Sequence, residues 1–158
     1  MAGPAMTLDE NQIQGLVLQG YGKLRGAAYL LLHVPEPDGE GARRWLAAVL
    51  PSVTFGSGRP DAALNVAFTA EGLVRFGLGR TTVGGFPLEF QEGMTSPHRR
   101  RLLGDVGAAA PENWRWGGPG GPAVHALLML FAPDADAAAA LLDQHRAGAE
   151  QHGLQVLA

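Results

Sequence analysis

The sequence predicts an α+β domain, because strand-like and helix-like segments alternate along it. Residues 27–34 and 124–131 are apolar on both alternating faces, as expected for inner strands that are covered on both sides. Stretches with helical spacing follow them, at 40–50 and from Asp134 to about His152. The chain has 158 residues, which is enough for one domain with a core of its own.

The first half is predicted to contain a strand, a helix, a second strand and a short helix. The helix at 40–50 has one apolar face and ends at Pro51. Residues 63–68 form the second strand, and Thr69 is a suitable N-cap for a helix that runs to about Phe76. One face of this strand is apolar, with Leu64, Val66 and Phe68.

The second half repeats this order after a long insertion. Residues 80–122 are predicted to be mostly irregular, with a short helix near 98–103. Asp134 and Asp136 place negative charge at the start of the last helix, where the macrodipole favours it. Gly153 is a natural residue to follow this helix, and 154–157 begin a last strand.

Two βαβ halves separated by an insertion are the pattern of a ferredoxin-like sandwich, an antiparallel or mixed four-stranded sheet with helices on one face. Residues 1–26 are predicted to be an N-terminal arm and a glycine-rich lead-in, and 27–158 a single domain. The insertion at 80–122 is long enough to require a reason.

Composition excludes several classes of function. The net charge of −3 argues against a nucleic-acid partner, and the basic cluster at 99–101 is the size of a solvated surface. The absence of cysteine excludes disulfides, thiolate catalysis and iron–sulfur clusters. No signal peptide and no apolar run of membrane-spanning length is found, which predicts a soluble, cytoplasmic protein with no membrane partner.

The glycines at 15, 20 and 22 do not form a phosphate-binding loop. That motif needs lysine directly after its last glycine and then a hydroxyl residue, whereas Tyr21 follows Gly20 and Leu24 follows Lys23. A strand follows the glycines here, so the helix N-terminus that would bind phosphate is missing. The segment is therefore expected to pack on the sheet and turn into the first strand.

Five segments, in sequence order, carry a family resemblance. They are IQG and GYG within 13–22, ALNVAFT and two GL pairs within 63–78, FPLEFQEGM, RRR and LGD within 86–105, APENWRWGG at 110–118, and VHALL at 124–128. Together they resemble the N-terminal domain of dye-decolorizing (DyP-type) haem peroxidases, and the resemblance extends over residues 12–158. It also accounts for the insertion, which that family shares.

The resemblance implies the N-terminal half of an enzyme that oxidises dyes and aromatic substrates with hydrogen peroxide. In the intact enzyme, haem b is held by a proximal histidine of a C-terminal ferredoxin-like domain. A distal Asp in a G-x-x-D-G motif and a distal Arg activate the peroxide, and that motif is expected beyond this sequence. Asp38 in EPDG is interpreted as a turn residue and Asp105 belongs to LGD, so neither fits. No catalytic, haem-binding or metal-binding residue is assigned to this chain, which alone is expected to bind no haem.

The remaining candidates favour structural roles. His33 and His125 are predicted to lie at opposite ends of two parallel strands, roughly 20 Å apart at strand rise. His145 and His152 are two helical turns apart, roughly 10 Å, which is too far for one ion, and His98 is expected to be solvated. Glu89 and Glu92 are close in sequence, but nothing indicates the burial that acid–base catalysis requires. Phe86, Phe90 and Met94 are interpreted as a core face. Trp114 and Trp116 could pack on their own sheet or stack on a ligand or a second domain.

Three functional hypotheses remain open. The chain is the N-terminal half of a DyP-type peroxidase, and it then requires a haem-bearing C-terminal half and an exposed apolar surface to receive it. Alternatively, it is a stand-alone ferredoxin-like binding module that forms a homo-oligomer through its sheet. A third possibility is a haem-binding enzyme that uses one of its own histidines.

Overall fold

The computed structural model describes residues 8–36 and 39–158, and its centre is a four-stranded antiparallel sheet with the strand order β2-β3-β1-β4. The strands are β1 (Gly26–His33), β2 (Ala63–Phe68), β3 (Ala126–Ala132) and the short edge strand β4 (Gln155–Val156). Their bounds lie close to those predicted, and the α+β ferredoxin-like architecture is confirmed.

All neighbouring strands are antiparallel because the two βαβ halves interleave. β3 lies between β1 and β2, and β1 lies between β3 and β4. The register of β1 and β3 runs from Gly26 opposite Ala132 to Leu32 opposite Ala126. The end of β1 therefore lies beside the start of β3.

The core lies between one face of the sheet and two long helices, α2 (Gly39–Val49) and α7 (Ala135–Gln151). The even-numbered residues of β1 and β3 form the sheet side of this core, and Trp45 and Ala149 contribute from the helices. The fully buried aliphatic residues of the sheet are Leu30, Leu32, Leu128 and Leu130. The prediction that both helices cover one face is confirmed.

Local signals place the helix ends correctly. Thr69 caps α3 (Ala70–Arg75) by accepting a hydrogen bond from the Gly72 N–H, and Asp134 caps α7 in the same way through the Ala137 N–H. Gly153 follows α7 with a φ of +82°, as expected for a residue at that position.

The insertion contains more helix than predicted. The helix expected near 98–103 is α6 (Pro97–Leu103), which starts with a Ser96 cap and ends at Gly104 with a φ of +76°. Two further short helices precede it, α4 (Arg80–Val83) and α5 (Leu88–Glu92). Single-turn 3₁₀ helices are found at Glu10–Gln12, Leu50–Ser52, Gly107–Ala109 and Pro111–Asn113.

The lead-in packs on the sheet, as predicted for a segment that is not a phosphate loop. A short helix, α1 (Gly15–Leu18), leads to Tyr21, whose ring contacts Phe131 of β3 with centroids 5.1 Å apart. The Gln14 amide accepts from the Val66 N–H at 2.7 Å and donates to the Val66 carbonyl at 2.8 Å.

The outer edge of β2 is therefore not free for strand pairing. Gln14 pairs with Val66, and two residues earlier in β2 the Leu64 carbonyl accepts from the Thr54 N–H at 2.8 Å. The Leu64 N–H donates to the Thr54 hydroxyl at 3.1 Å. Covering an edge in this way blocks edge-to-edge association.

Two sequence predictions about burial are wrong. β1 and β3 are inner strands, but their second face is not fully covered, and Tyr29 on β1 is 53% exposed. Phe86, Phe90 and Met94 do not form a core face: Phe86 and Met94 are exposed, and the two phenyl rings contact each other 5.3 Å apart. Phe86 precedes α5 and Met94 follows it, so only Phe90 lies on that helix and the four-residue spacing does not build a buried helical face.

Some predictions fall on residues outside the described ranges. Residues 1–7 of the arm are among them, as are Pro37 and Asp38 of the turn before α2. Within the described part of the chain, no helix has both the length and the apolar content needed to cross a membrane.

Candidate functional site: an uncovered sheet face and a histidine pair

The face of the sheet opposite α2 and α7 carries an open apolar trough with a volume of about 1210 Å³. Most of its floor consists of odd-numbered residues of β1 and β3 with Ala67 of β2, and most of its walls come from the insertion. Ala28, Ala126, Leu142 of α7 and Ala158 also belong to the lining. The residues that define the trough are Tyr29, Leu31, Ala67, Leu127, Met94, Trp114 and Trp116. Strand alternation explains the floor, because the residues between the core residues point to this face.

The lining of the trough has little polar chemistry to offer. Among the described lining residues there is no Lys, Arg, Asp, Glu or His. The Trp114 indole N–H donates to the Ala109 carbonyl at 2.9 Å. The Thr69 hydroxyl donates to the Val124 carbonyl at 2.9 Å and accepts from the Gly72 N–H at 3.0 Å. The trough is therefore suited mainly to apolar contact.

Two of the trough side chains are open to solvent. Trp116 is 52% exposed and Tyr29 is 53% exposed, so two large aromatic surfaces face water on the same side of the sheet. Of the two sequence interpretations of Trp114 and Trp116, Trp114 is anchored within its own loop, whereas Trp116 is free to contact another surface.

The second candidate feature is a stacked pair of histidines at one end of β1 and β3. The His33 and His125 rings lie 4.7 Å apart with an angle of 28° between their planes. The Val34 N–H donates to His125 Nδ1 at 2.8 Å, and His33 Nδ1 lies 2.8 Å from the Ala123 carbonyl oxygen.

This contact overturns the predicted separation of roughly 20 Å at strand rise. That prediction assumed parallel strands, whereas β1 and β3 are antiparallel, so the end of one strand meets the start of the other. His33 is half-buried at the end of β1.

The histidine pair does not form a metal site. His125 is 1% exposed, and its Nδ1 lone pair is taken by the Val34 N–H, which places the ring proton of the neutral form on Nε2. Neither of its nitrogens then offers a lone pair to a metal. Within residues 8–36 and 39–158, no group of three His, Asp or Glu side chains is arranged to hold a metal ion.

The other three histidines lie apart from the trough lining. His98 is exposed on α6, and burial lowers the pKa of His145 on α7. His152 Nδ1 lies 2.8 Å from the Gly148 carbonyl oxygen, within hydrogen-bond distance at the end of α7.

Glu89 and Glu92 lie on the surface and already have side-chain partners. Glu89 pairs with Arg99 at 3.1 Å, and Glu92 accepts from the Ser96 hydroxyl at 3.3 Å. Arg100 binds Glu112 through two nitrogens, at 2.7 and 3.0 Å. A backbone hydrogen bond and the Arg100 guanidinium lower the pKa of Glu112. These contacts brace the insertion, and Arg101 is exposed beside them.

The trough does not fit a haem held by this chain. A haem of the type implied by the family resemblance needs a proximal histidine as an axial ligand. The described lining has no histidine for the iron and no Lys or Arg to pair with the haem propionates. The described lining is therefore an apolar surface with no iron ligand among its residues.

Comparison with solved structures identifies the fold. A DyP-type peroxidase of Anabaena sp. superposes with a TM-score of 0.72 at 18% identity and covers 90% of this chain. The chain has the fold of a DyP-type peroxidase domain. A fungal DyP-type peroxidase of Auricularia auricula-judae matches 98% of the chain with a TM-score of 0.64 at 21% identity.

A further match is a dye-decolorizing peroxidase whose haem pocket was engineered for asymmetric sulfoxidation, with a TM-score of 0.67 at 18% identity over 96% of this chain. The chain spans only about a third of the length of these structures, 34%, 33% and 32% respectively. No family model matches the sequence, and no curated protein matches it.

The first functional hypothesis expected an exposed apolar surface, but sequence reasoning did not place it on the sheet face, and it missed the histidine contact. The position of the trough could not be predicted because a strand that is apolar on both faces has the same sequence pattern whether its second face is covered or exposed. The histidine contact could have been found from the strand order of an interleaved βαβ pair, which makes β1 and β3 antiparallel neighbours.

Proposed function

We propose that this chain is the N-terminal domain of a DyP-type haem peroxidase, and that peroxide-dependent oxidation of aromatic substrates requires a haem-bearing C-terminal half. Two lines of support are independent of each other. The sequence motifs resemble this domain, and the fold matches about a third of three such peroxidases. Haem b, the proximal histidine and the distal Asp and Arg would all come from the other half.

The observation that carries the proposal is the trough on the uncovered face of the sheet. Soluble monomers seldom expose large contiguous apolar patches, and such patches mark interaction sites. The uncovered face presents Tyr29, Trp116 and Met94, each more than half exposed, with no charged side chain among the described lining residues. A second domain that covers this face would remove these side chains from water.

The mode of association follows from the edges of the sheet. Gln14 and Thr54 occupy the outer edge of β2, and β4 at the other edge is two residues long. Pairing through an edge strand is therefore disfavoured, and contact through the face is left as the way to extend the fold. Two sheets that pack face to face lie about 10 Å apart, which leaves space for side chains of both domains.

The experiment compares two charge insertions of equal exposure on opposite sides of the sheet. Tyr29→Glu places a carboxylate in the trough, and Leu50→Glu places one after α2 on the helix side, where the native residue is 52% exposed. Each variant, expressed in the protein's own source, is isolated and its native mass and haem absorbance are recorded.

The expected result is that the native chain and Leu50→Glu elute with a haem-containing second chain or domain, and that Tyr29→Glu does not. Burying an unpaired carboxylate is costly enough to prevent such an interface. Circular dichroism checks that both variants fold. A native homodimer without haem that Tyr29→Glu dissociates would replace the proposal with the stand-alone, sheet-mediated binding module.

A further inference from the structure

The histidine pair joins the end of the insertion to β1 through hydrogen bonds that require opposite tautomers. The Val34 N–H donates to His125 Nδ1 at 2.8 Å, so this nitrogen must keep its lone pair. His33 Nδ1 faces the Ala123 carbonyl at 2.8 Å, and a carbonyl only accepts, so this nitrogen must carry a proton. Protonation would therefore break the first hydrogen bond and leave the second intact.

Backbone hydrogen bonds of His125 connect the start of β3 to β1 and to the end of β2. Its N–H donates to the Leu32 carbonyl at 2.8 Å, and its carbonyl accepts from the Thr69 N–H at 3.2 Å. Residues 117–125, the return segment, lead from the Trp114 loop to this point, and Ala123 and Val124 within it line the trough. The position of His125 therefore fixes one wall of the trough.

We propose that His125 is an acid-sensitive latch: its neutral imidazole holds the return segment against β1, and protonation of Nδ1 releases it. A protonated Nδ1 would be a donor facing the Val34 N–H, which is also a donor, so the hydrogen bond would be replaced by repulsion. The released segment carries a trough wall with it. The latch is a property of the chain alone and does not depend on a haem-bearing half.

The groups that act electrostatically on His125 set the pH at which the latch opens. Burial is the largest influence, and together with the charges of His33 on β1 and Arg75 on α3 it lowers the pKa of His125 to about 4. Glu71 on α3 acts in the opposite direction. The latch is therefore closed at neutral pH and opens in acid.

The test is amide hydrogen exchange of Val34, measured on the full chain between about pH 7 and about pH 4 and corrected for intrinsic exchange. Opening exposes an imidazole with an ordinary pKa of 6.5 in place of one near 4, so linkage predicts that the protection of Val34 falls about a hundredfold over this range. Amides in the centre of the β1–β3 ladder exchange through global unfolding, so at every pH their protection should stay well above that of Val34.

Two matched variants separate the roles of the histidines. His125→Asn keeps an acceptor near the position of Nδ1 but cannot titrate, so the protection of Val34 should no longer depend on pH. His33→Asn keeps a donor for Ala123, so the pH dependence should remain. Protection that is independent of pH in the native chain, or that falls equally in His125→Asn, would overturn the latch.

A second readout covers the case in which His125→Asn does not fold. The side-chain NMR signal of His125 in the native chain gives its own titration midpoint. The amide shift of Val34 should follow that midpoint, whereas a Val34 midpoint that differs from the measured His125 midpoint would refute the proposal.

Discussion

Lowering the pH should destabilise the native chain more than a His125→Asn variant, because only the native chain has the buried His125 imidazole to protonate. His125 is 1% exposed, and its pKa falls from 6.5 in the unfolded chain to about 4 in the folded one. Between these values the unfolded state binds a proton that the folded state does not, so the free energy of unfolding decreases as pH falls. The contribution is fully present above about pH 6.5 and is lost by about pH 4.

The magnitude follows from the size of the shift. A difference of roughly 2.5 units at 1.36 kcal/mol per unit corresponds to a loss of about 3 kcal/mol in the free energy of unfolding. Urea unfolding of both proteins at several pH values measures it. The pKa of His145 is also lowered by burial, but this residue is present in both proteins and its effect cancels in the comparison. A difference in stability between the two proteins that does not change with pH would refute the reasoning.

Two further predictions concern the framework around the trough. Gly72→Ala would place its Cβ 1.8 Å from the His125 carbonyl oxygen and should lower the free energy of unfolding by more than about 3 kcal/mol. In Gly148→Ala, on α7, the new Cβ meets nothing within 4 Å, so this change should raise the free energy of unfolding by up to about 1 kcal/mol. Equal changes in the free energy of unfolding of the two variants, measured in urea, would contradict this prediction. Gln14→Ala removes both hydrogen bonds to Val66 and should expose the β2 edge, which would increase self-association in sedimentation experiments. Unchanged sedimentation and unchanged stability would argue against a role of Gln14 in protecting this edge.

Local chemistry in the sequence was sufficient to predict most elements of the fold. Thr69 and Asp134 cap their helices because their short side chains reach the backbone N–H group three residues ahead. Such a contact depends only on the local sequence. The alternation of apolar residues likewise located β1, β2 and β3 to within about two residues. The ferredoxin-like order then followed from the sequence of elements.

Features that depend on long-range geometry could not be read in the same way. The contact between His33 and His125 requires the direction of neighbouring strands, and an assumption of parallel strands placed the two residues at opposite ends. The exposure of Tyr29 depends on whether any element covers the second face of the sheet, and strand alternation carries no information on that point. Phe86 and Met94 have helical spacing but lie on short surface segments.

The most direct test of the central claim is the native mass of the untagged chain isolated from its own source, recorded together with absorbance in the Soret region. We expect an assembly heavier than any homo-oligomer of this chain, or a longer polypeptide that contains it, with a haem band that is lost when the second half is removed. A colourless monomer or homodimer of the 158-residue chain would contradict a role in a DyP-type peroxidase. A haem band that remains with the isolated chain would equally contradict the assignment of the iron ligand to another half.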